Sequence, residues 1–245
     1  MIRHPLRSND IRESNEKLVL SLIFQNGSTS QSQVVQQTGL KAPTVFRIFA
    51  KLEEDGLIRR CDEEDLPETP RNPERKGRRP NYFCVEPSSG YAVGVDFSSL
   101  AASVIVVDFG NEVIYRHSEE LQERLDRNAI LRVLERVIAK ALEESRIETE
   151  QIIGIGIAAP GVVDTVTGQV LEYERIEGLG GYSIGSYFEG IFGVPVFVHN
   201  NASVIASSAY HYGPAQKENS LLAVLVRSGV GGALVNHGTI FLNGT

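Results

Sequence analysis

Two adjacent amides, Asn200 and Asn201 in Val198-His199-Asn200-Asn201-Ala202-Ser203, are well suited to hold a polyhydroxylated molecule. Each primary amide presents two N–H donors and a carbonyl acceptor, so each can meet hydroxyl groups. Neither can take a proton near neutral pH, because an amide has no titratable group there. A hydroxyl becomes a good nucleophile for phosphoryl transfer only when a base accepts its proton as the new bond forms. The pair fits binding and not general-base chemistry. His199, beside it at a strand end, reads more simply as a structural residue than as a ligand.

A second set of residues suits a different partner. Around Pro43 the pattern Val45, Ile48, Phe49, Leu52 follows helical spacing, which turns Val45, Ile48 and Leu52 inward and leaves Thr44, Arg47 and Lys51 outside, with Phe46 near that side. Lys41 lies just before this helix. Arginine for phosphate or guanine, threonine for phosphate and an aromatic edge for a thymine methyl are what a helix in the DNA major groove requires. The plainer alternative is a solvated helix face on which Lys51 pairs with Asp55 at i,i+4.

The elements that would present this helix are legible upstream. Leu18, Val19, Leu20, Leu22, Ile23 and Phe24 give a first helix ended by Asn26-Gly27. Ser30 followed by Gln33 forms a capping box for a short helix through Thr38. Gly39-Leu40 then makes a tight stop, Gly39 taking the left-handed conformation and Leu40 entering the core. Pro43 belongs in the first turn of the third helix, where its missing N–H costs nothing. Gly56 closes that helix before an extended Leu57-Ile58. From Arg59 to Tyr82 the chain is polar and proline-rich, with an acidic run at 62–65 and a basic cluster of Arg71, Arg75, Lys76, Arg78 and Arg79. It reads as linker in part, and as a wing whose arginines suit the narrow, negative minor groove of A·T-rich DNA.

Charge supports this division. Residues 1–90 carry 14 Lys and Arg against 13 Asp and Glu, whereas residues 91–245 carry 10 against 18, so a net −7 hides a relatively basic front. The longest early apolar run, 18–24, is too short to span a bilayer and lacks the flanks of a signal peptide. Two cysteines, Cys61 and Cys84, make neither a metal cluster nor a disulfide framework, and a reduced cytoplasm is the plain reading.

Residues 91–245 read as a βββαβαβ unit. Strands are expected at 91–96, 102–108 and from 113, a helix at 130–144, a strand at 152–158, a helix near 184–191 and a strand at 194–198. Three antiparallel strands leading into parallel crossovers are an actin-like, ribonuclease-H-like pattern. The strand at 221–226, the turn Arg227-Ser228-Gly229-Val230-Gly231-Gly232 and a further rise to Phe241 read as the opening of a second copy.

With these motifs in hand the chain resembles the ROK family (repressors, open reading frames and kinases) over essentially its whole length. The front part is similar to the winged helix-turn-helix of the family's xylose, N-acetylglucosamine and glucose regulators, through Gly39-Leu40 with Pro43-Thr44-Val45, Leu52-Glu53-Glu54-Asp55-Gly56-Leu57 and Gly77-Arg78-Arg79-Pro80. The back part matches through Gly94-Val95-Asp96, Ala159-Pro160-Gly161-Val162-Val163-Asp164, Gly193-Val194-Pro195-Val196 and Gly229-Val230-Gly231-Gly232. The implied fold is an α/β chain with an N-terminal winged helix-turn-helix (1–90) followed by an actin-like ROK domain (91–245). Its first subdomain is complete to about 215 and its second only begun.

The departures from the family pattern bear on function. The kinases' Asp-x-Gly-x-Thr phosphate turn is Asp96-Phe97-Ser98-Ser99-Leu100 here, without the Gly or the Thr. Their Gly-Thr-Gly-x-Gly loop begins instead with Arg227, followed by Ser228, Gly229, Val230 and Gly231. A side chain there obstructs the approach of backbone N–H groups to an anion. The family's catalytic Asp is Asn201, whereas Asn200, the implied sugar-orienting asparagine, and Gly161, in the loop along the sugar, are retained. Glu174 aligns loosely with a sugar-contacting threonine. The family's Glu-x-Gly-His sugar ligands and cysteine-rich zinc loop do not occur before Thr245, so no cofactor is expected in 1–245, and half a cleft is not expected to enclose a sugar.

The resemblance implies a repressor with no catalytic residues. It would bind a pseudo-palindromic double-stranded DNA operator as a dimer or dimer of dimers, away from membranes, and sense a small sugar through Gly161, Asn200 and Asn201. A ROK sugar kinase with an appended DNA-binding domain, and a regulator that uses the ROK domain only to dimerise, are the alternatives.

Overall fold

Ser30 shows how local chemistry starts the front unit. Its hydroxyl accepts the Gln33 backbone N–H while the Gln33 side chain accepts the Ser30 backbone N–H at 2.8 Å, closing the capping box of α2 (Gln31–Thr38). Gly39 follows at φ 70°, the left-handed geometry that ends the helix. The structure, a computed structural model, describes residues 8–62, 81–121, 126–216, 218–227 and 229–241. Arg78, Arg79 and Ser228 lie outside them. The chain divides into two compact units, Met1–Ser89 with Asp108–Glu112, and Gly90–Val107 with Val113–Thr245.

In the first unit, α1 (Ser8–Asn26), α2 and α3 (Ala42–Glu54) pack with a small sheet of β1 (Thr29–Ser30), β2 (Ile58–Arg60) and β3 (Tyr82–Val85), ordered β1-β3-β2. Val19, Ile23, Val34, Val45, Ile48, Phe49, Leu52, Ile58 and Phe83 form its core. The Phe49 and Phe83 rings meet edge-on, centroids 5.0 Å apart, a geometry that aligns ring edge with ring face. β3 falls at the end of the stretch read from sequence as linker, and its partners are residues distant in sequence. It pairs antiparallel with both β1 and β2.

The same pairing overturns the expectation for the cysteines. Cys84 stands opposite Arg59 in the β2–β3 ladder, and the Cys61 N–H donates to the Tyr82 carbonyl at 3.0 Å. The two cysteines are thus diagonal neighbours across the hairpin, with Cα atoms 5.3 Å apart, and are disulfide-bonded. That separation lies within the range the bond requires. Residue count alone gave no sign of it, because the cysteines are 23 residues apart in sequence.

The second unit is built on a five-stranded sheet ordered β11-β7-β4-β5-β6, from β4 (Tyr91–Phe97), β5 (Ala101–Asp108), β6 (Val113–Glu120), β7 (Ile152–Ala159) and β11 (Val196–Asn200). β7 runs parallel to both β4 and β11, while β5 and β6 are antiparallel. Alternation places Val93, Val95 and Phe97 in the core with Val104, Val106, Ile155 and Ile157, together with Ile130, Leu134, Val137 and Ile138 of α4 (Arg127–Ser145). Asp126 caps α4, accepting the Ala129 N–H at 2.7 Å. α5 (Ile184–Phe192) precedes β11.

Two features of this unit were not read from sequence. A small sheet, ordered β10-β9-β8, is made by β8 (Val162–Asp164), β9 (Gln169–Glu172) and β10 (Tyr182–Ser183). A helix, α6 (Asn201–His211), follows β11 directly. Beyond it, β12 (Ser220–Val226), β13 (Val230–Asn236) and β14 (Thr239–Phe241) form an antiparallel sheet that packs Ala233 and Val235 on Ala202 and Ala206 of α6.

Candidate nucleic-acid interface and polar cleft

Helix α3 is amphipathic in the way its spacing required. Val45, Ile48, Phe49 and Leu52 are buried, whereas Arg47 is exposed and Phe46 is 51% exposed. A large aromatic held in water beside an arginine is the unusual feature, since burial would stabilise it by about 1.5–3 kcal/mol. Lys41 sits at the N-cap without a side-chain capping bond, and Thr44 is half-buried in the first turn.

Lys51 departs from the pairing with Asp55 that its spacing offered. Its ammonium meets Glu16 of α1 at 2.5 Å, and Arg12 meets the other oxygen of the same carboxylate at 3.0 Å. Its partner is thus Glu16 and not Asp55, and the pair ties α3 to α1. The Lys51 hydrogen bond, then Arg12, holds the Glu16 carboxyl below the usual carboxylate range against the opposing effect of burial.

In the second unit a cleft of about 690 Å³ brings together Ser98, Gly161, Asn200, Asn201, Arg227 and Gly231, residues from four separate stretches of chain. Gly161 adopts φ 82°, and a Cβ there would run into the Glu172 carbonyl oxygen, so the turn after Pro160 admits only glycine. Asn200 fixes this turn by donating from Nδ2 to the Gly161 carbonyl at 2.6 Å. Its Oδ1 accepts the Ala202 and Ser203 N–H groups at 2.9 and 3.3 Å and so caps α6. Both ends of the Asn200 amide are therefore engaged within the protein. Asn201, the first residue of α6 and 9% exposed, also lines the cleft.

The two residue sets expected at degenerate phosphate turns serve structural ends. The Ser98 hydroxyl accepts the Leu100 and Ala101 N–H groups at 3.1 and 3.2 Å and closes the turn from β4 to β5. Arg227 reaches across to Asp96, its guanidinium donating to Oδ2 at 2.9 Å, while Asp96 Oδ1 is buried without a hydrogen-bond partner. Gly229 and Gly231 line the cleft beside Arg227. His199 is half-buried, its Nδ1 has no hydrogen-bond partner, and burial lowers its pKa, so it is neutral near pH 7.

Tyr173 and Arg175 line the cleft, whereas Glu174 does not. Both lining residues lie at the turn that follows β9, where no sequence periodicity points to the cleft. Among the described residues no group of three or more His, Cys, Asp or Glu is placed to hold a metal ion, and no helix is long and apolar enough to cross a membrane.

Comparison with known proteins places both units. Residues 92–244 match the ROK family, and residues 12–59 match the winged helix-turn-helix DNA-binding family. The DNA-binding transcriptional dual regulator NagC of Escherichia coli K12 is 25% identical over 232 residues, covering 95% of this chain and 55% of that protein. A xylose repressor of Bacillus spizizenii is 24% identical over 231 residues, covering 93% and 56%. The chain thus spans about half the length of the curated relatives it matches. A crystal structure of a ROK family transcriptional regulator, a homologue of the E. coli MLC protein, superposes with a TM-score of 0.75 at 20% identity, covering 95% of this chain and 57% of that one. The ROK hexokinase of Thermus thermophilus is also similar in fold, with a TM-score of 0.53 at 26% identity over 62% of this chain and 48% of that one.

Proposed function

The chain belongs to the ROK family, and we propose that it is a DNA-binding transcriptional repressor of sugar-metabolism genes whose kinase-like domain is not catalytic. The observation that carries this reading is the outer face of α3. Phe46 and Arg47 stand exposed on a helix whose opposite side is wholly buried, in a segment that matches a DNA-binding family. An arginine supplies phosphate or guanine contacts and an aromatic edge suits a thymine methyl. The relatives named as a transcriptional regulator and a xylose repressor support the same reading. It carries with it a double-stranded operator as partner, a homodimer or dimer of dimers, a cytoplasmic location and a small sugar as effector.

Against catalysis stand three residues in the cleft. Asn201 offers no base, Ser98 is spent on its own turn, and Arg227 neutralises Asp96. The enzyme reading rests on the kinases that share the fold, and at the position expected to hold its base it has Asn201, an amide that cannot take the proton.

Selection of bound duplexes from a random double-stranded pool tests the proposal. The expected outcome is enrichment of a two-fold-related motif, with binding that weakens steeply as salt rises because phosphates release counterions. A pool that emerges unenriched from repeated rounds at low salt refutes it.

A further inference from the structure

The outer face of α3 is mostly apolar. Residues 43, 46, 47 and 50 follow the i, i+3, i+4, i+7 spacing that shares one side of a helix. Pro43, Phe46, Arg47 and Ala50 are all exposed there, opposite the buried Val45, Ile48, Phe49 and Leu52. Phe46, a large aromatic, is 51% exposed. Arg47 alone among the four has a side chain that forms hydrogen bonds. Thr44 and Lys51 stand at the flanks of this face and are half-buried.

Charge fixes which end of the helix approaches a duplex. Lys41 is exposed at the N-cap, whereas Glu53, Glu54 and Asp55 are exposed at the C-terminal end. Phosphates repel that acidic end and favour the first turns, where the helix dipole is positive as well. From Pro43 to Ala50 the helix rises about 10 Å, so this stretch faces about three base-pair steps. Ala50, near the middle of the face, carries only a methyl group and lets the helix lie close to the base edges.

We infer that this face reads thymine methyl groups, and that its half-site is a run of thymines beside a single guanine. This inference rests on the DNA-binding reading above and names the class of sequence that the face selects. In the major groove adenine is picked out by a side chain that both donates and accepts, as Asn and Gln do, and cytosine by a carboxylate that accepts from its amino group. The outer face of α3 supplies neither in the turns that approach the bases. Guanine offers two acceptors to Arg47, and thymine offers its C5-methyl group to Pro43, Phe46 and Ala50. Removing a methyl group from water against an exposed ring strengthens binding about fourfold for each methyl covered.

The test uses the full chain and a duplex recovered from the random pool, whose motif should show thymines beside one guanine. Its thymines are replaced one at a time by deoxyuridine, which removes the methyl group and keeps the base pairing. Fluorescence anisotropy at fixed salt should give about fourfold weaker binding at each contacted position and no change elsewhere. Phe46→Ala, confirmed folded by circular dichroism, should bind the thymine duplex more weakly and no longer distinguish thymine from uracil at the position Phe46 covers. Arg47→Ala should keep the full thymine–uracil difference while losing affinity. The failures separate cleanly. A pool that yields no bound duplex removes the DNA-binding reading and this inference with it. A recovered motif without thymines, binding that ignores uracil at every position, or a uracil penalty unchanged by Phe46→Ala removes the methyl reading alone and leaves DNA binding standing.

Discussion

The Arg227 guanidinium donates to Asp96 Oδ2 at 2.9 Å across 131 residues of sequence. Asp96 is the last residue but one of β4, and Arg227 leads the glycine turn after β12. In a site built for phosphate, the carboxylate serves a cation that accompanies the anion, and the glycine turn leaves room for the anion itself. Here the protein supplies its own cation to the carboxylate from that very turn. The pair is partly exposed, so its contribution to stability is small, about 0–1 kcal/mol. On the proposed reading its importance is occupancy: the cation it brings stands at the turn where a phosphoryl donor would be expected.

Sugar phosphorylation should therefore be absent. With ATP, magnesium and a panel of hexoses, ADP release should stay at background whichever sugar is supplied. Asn201→Asp should not restore turnover, because Arg227 and Ser98 still fill the phosphate turns. Arg227→Ala should change the unfolding free energy by less than about 1 kcal/mol, as read from urea denaturation. Sugar-dependent ADP production by the unmodified chain would overturn this account.

DNA affinity should divide unequally between the two cationic residues of α3. Arg47→Ala should weaken binding by about 1–3 kcal/mol if the side chain reads a base, and by less if it meets only phosphate. Lys51→Ala should act mainly through loss of the Glu16 contact, lowering stability more than it lowers affinity. Gel-shift titration at one salt concentration, paired with thermal melting of each variant, separates these effects. Equal loss of affinity in both variants contradicts the assignment.

Some of this was open to a reading of the sequence and some was closed to it. The capping box of Ser30 and Gln33, the left-handed Gly39 and the buried stripe of α3 depend on residues within four positions of one another, so local chemistry determines them. Lys51 with Glu16 is separated by 35 residues and Cys61 with Cys84 by 23, and only the packed fold brings each pair together. Asn200 lies between the two cases. Its type fits an N-cap, but the helix it caps, α6, carries little apolar periodicity of its own, and its bond to Gly161 spans 39 residues.

Acid should loosen the contact between α1 and α3. The Glu16 carboxyl is held below its ordinary range in the folded chain. Its stabilising contribution is thus complete above the ordinary carboxylate pKa and is lost as pH falls through the lowered folded value. Glu16→Gln should cost about 0.5–1 kcal/mol near neutrality and nothing below the folded pKa. Urea unfolding of both proteins across the acid range is the check. Parallel curves, offset equally at every pH, would show that the charge is not what matters.

Sugar affinity should be weak in this chain and insensitive to pH. Asn200 already gives one donor to Gly161 and its acceptor to α6, which leaves Asn201 as the amide of the pair with more capacity to spare. Asn200→Ala should accordingly act on the fold, removing a helix cap worth about 0.5–2 kcal/mol and releasing the Gly161 turn. Asn201→Ala should spare the melting temperature by comparison, since no cap depends on its side chain. The cleft measures about 690 Å³, room enough for a small sugar, but with Asn200 largely committed to the fold few fixed polar groups remain to orient one, so binding should be poor. His199 is neutral near pH 7 because burial lowers its pKa, and no charge in the amide pair changes with pH, so what binding there is should be flat across neutrality. Calorimetry with glucose, xylose and N-acetylglucosamine addresses all of this. A micromolar dissociation constant for any of them, abolished by Asn201→Ala, would show that the cleft is already a finished sugar site.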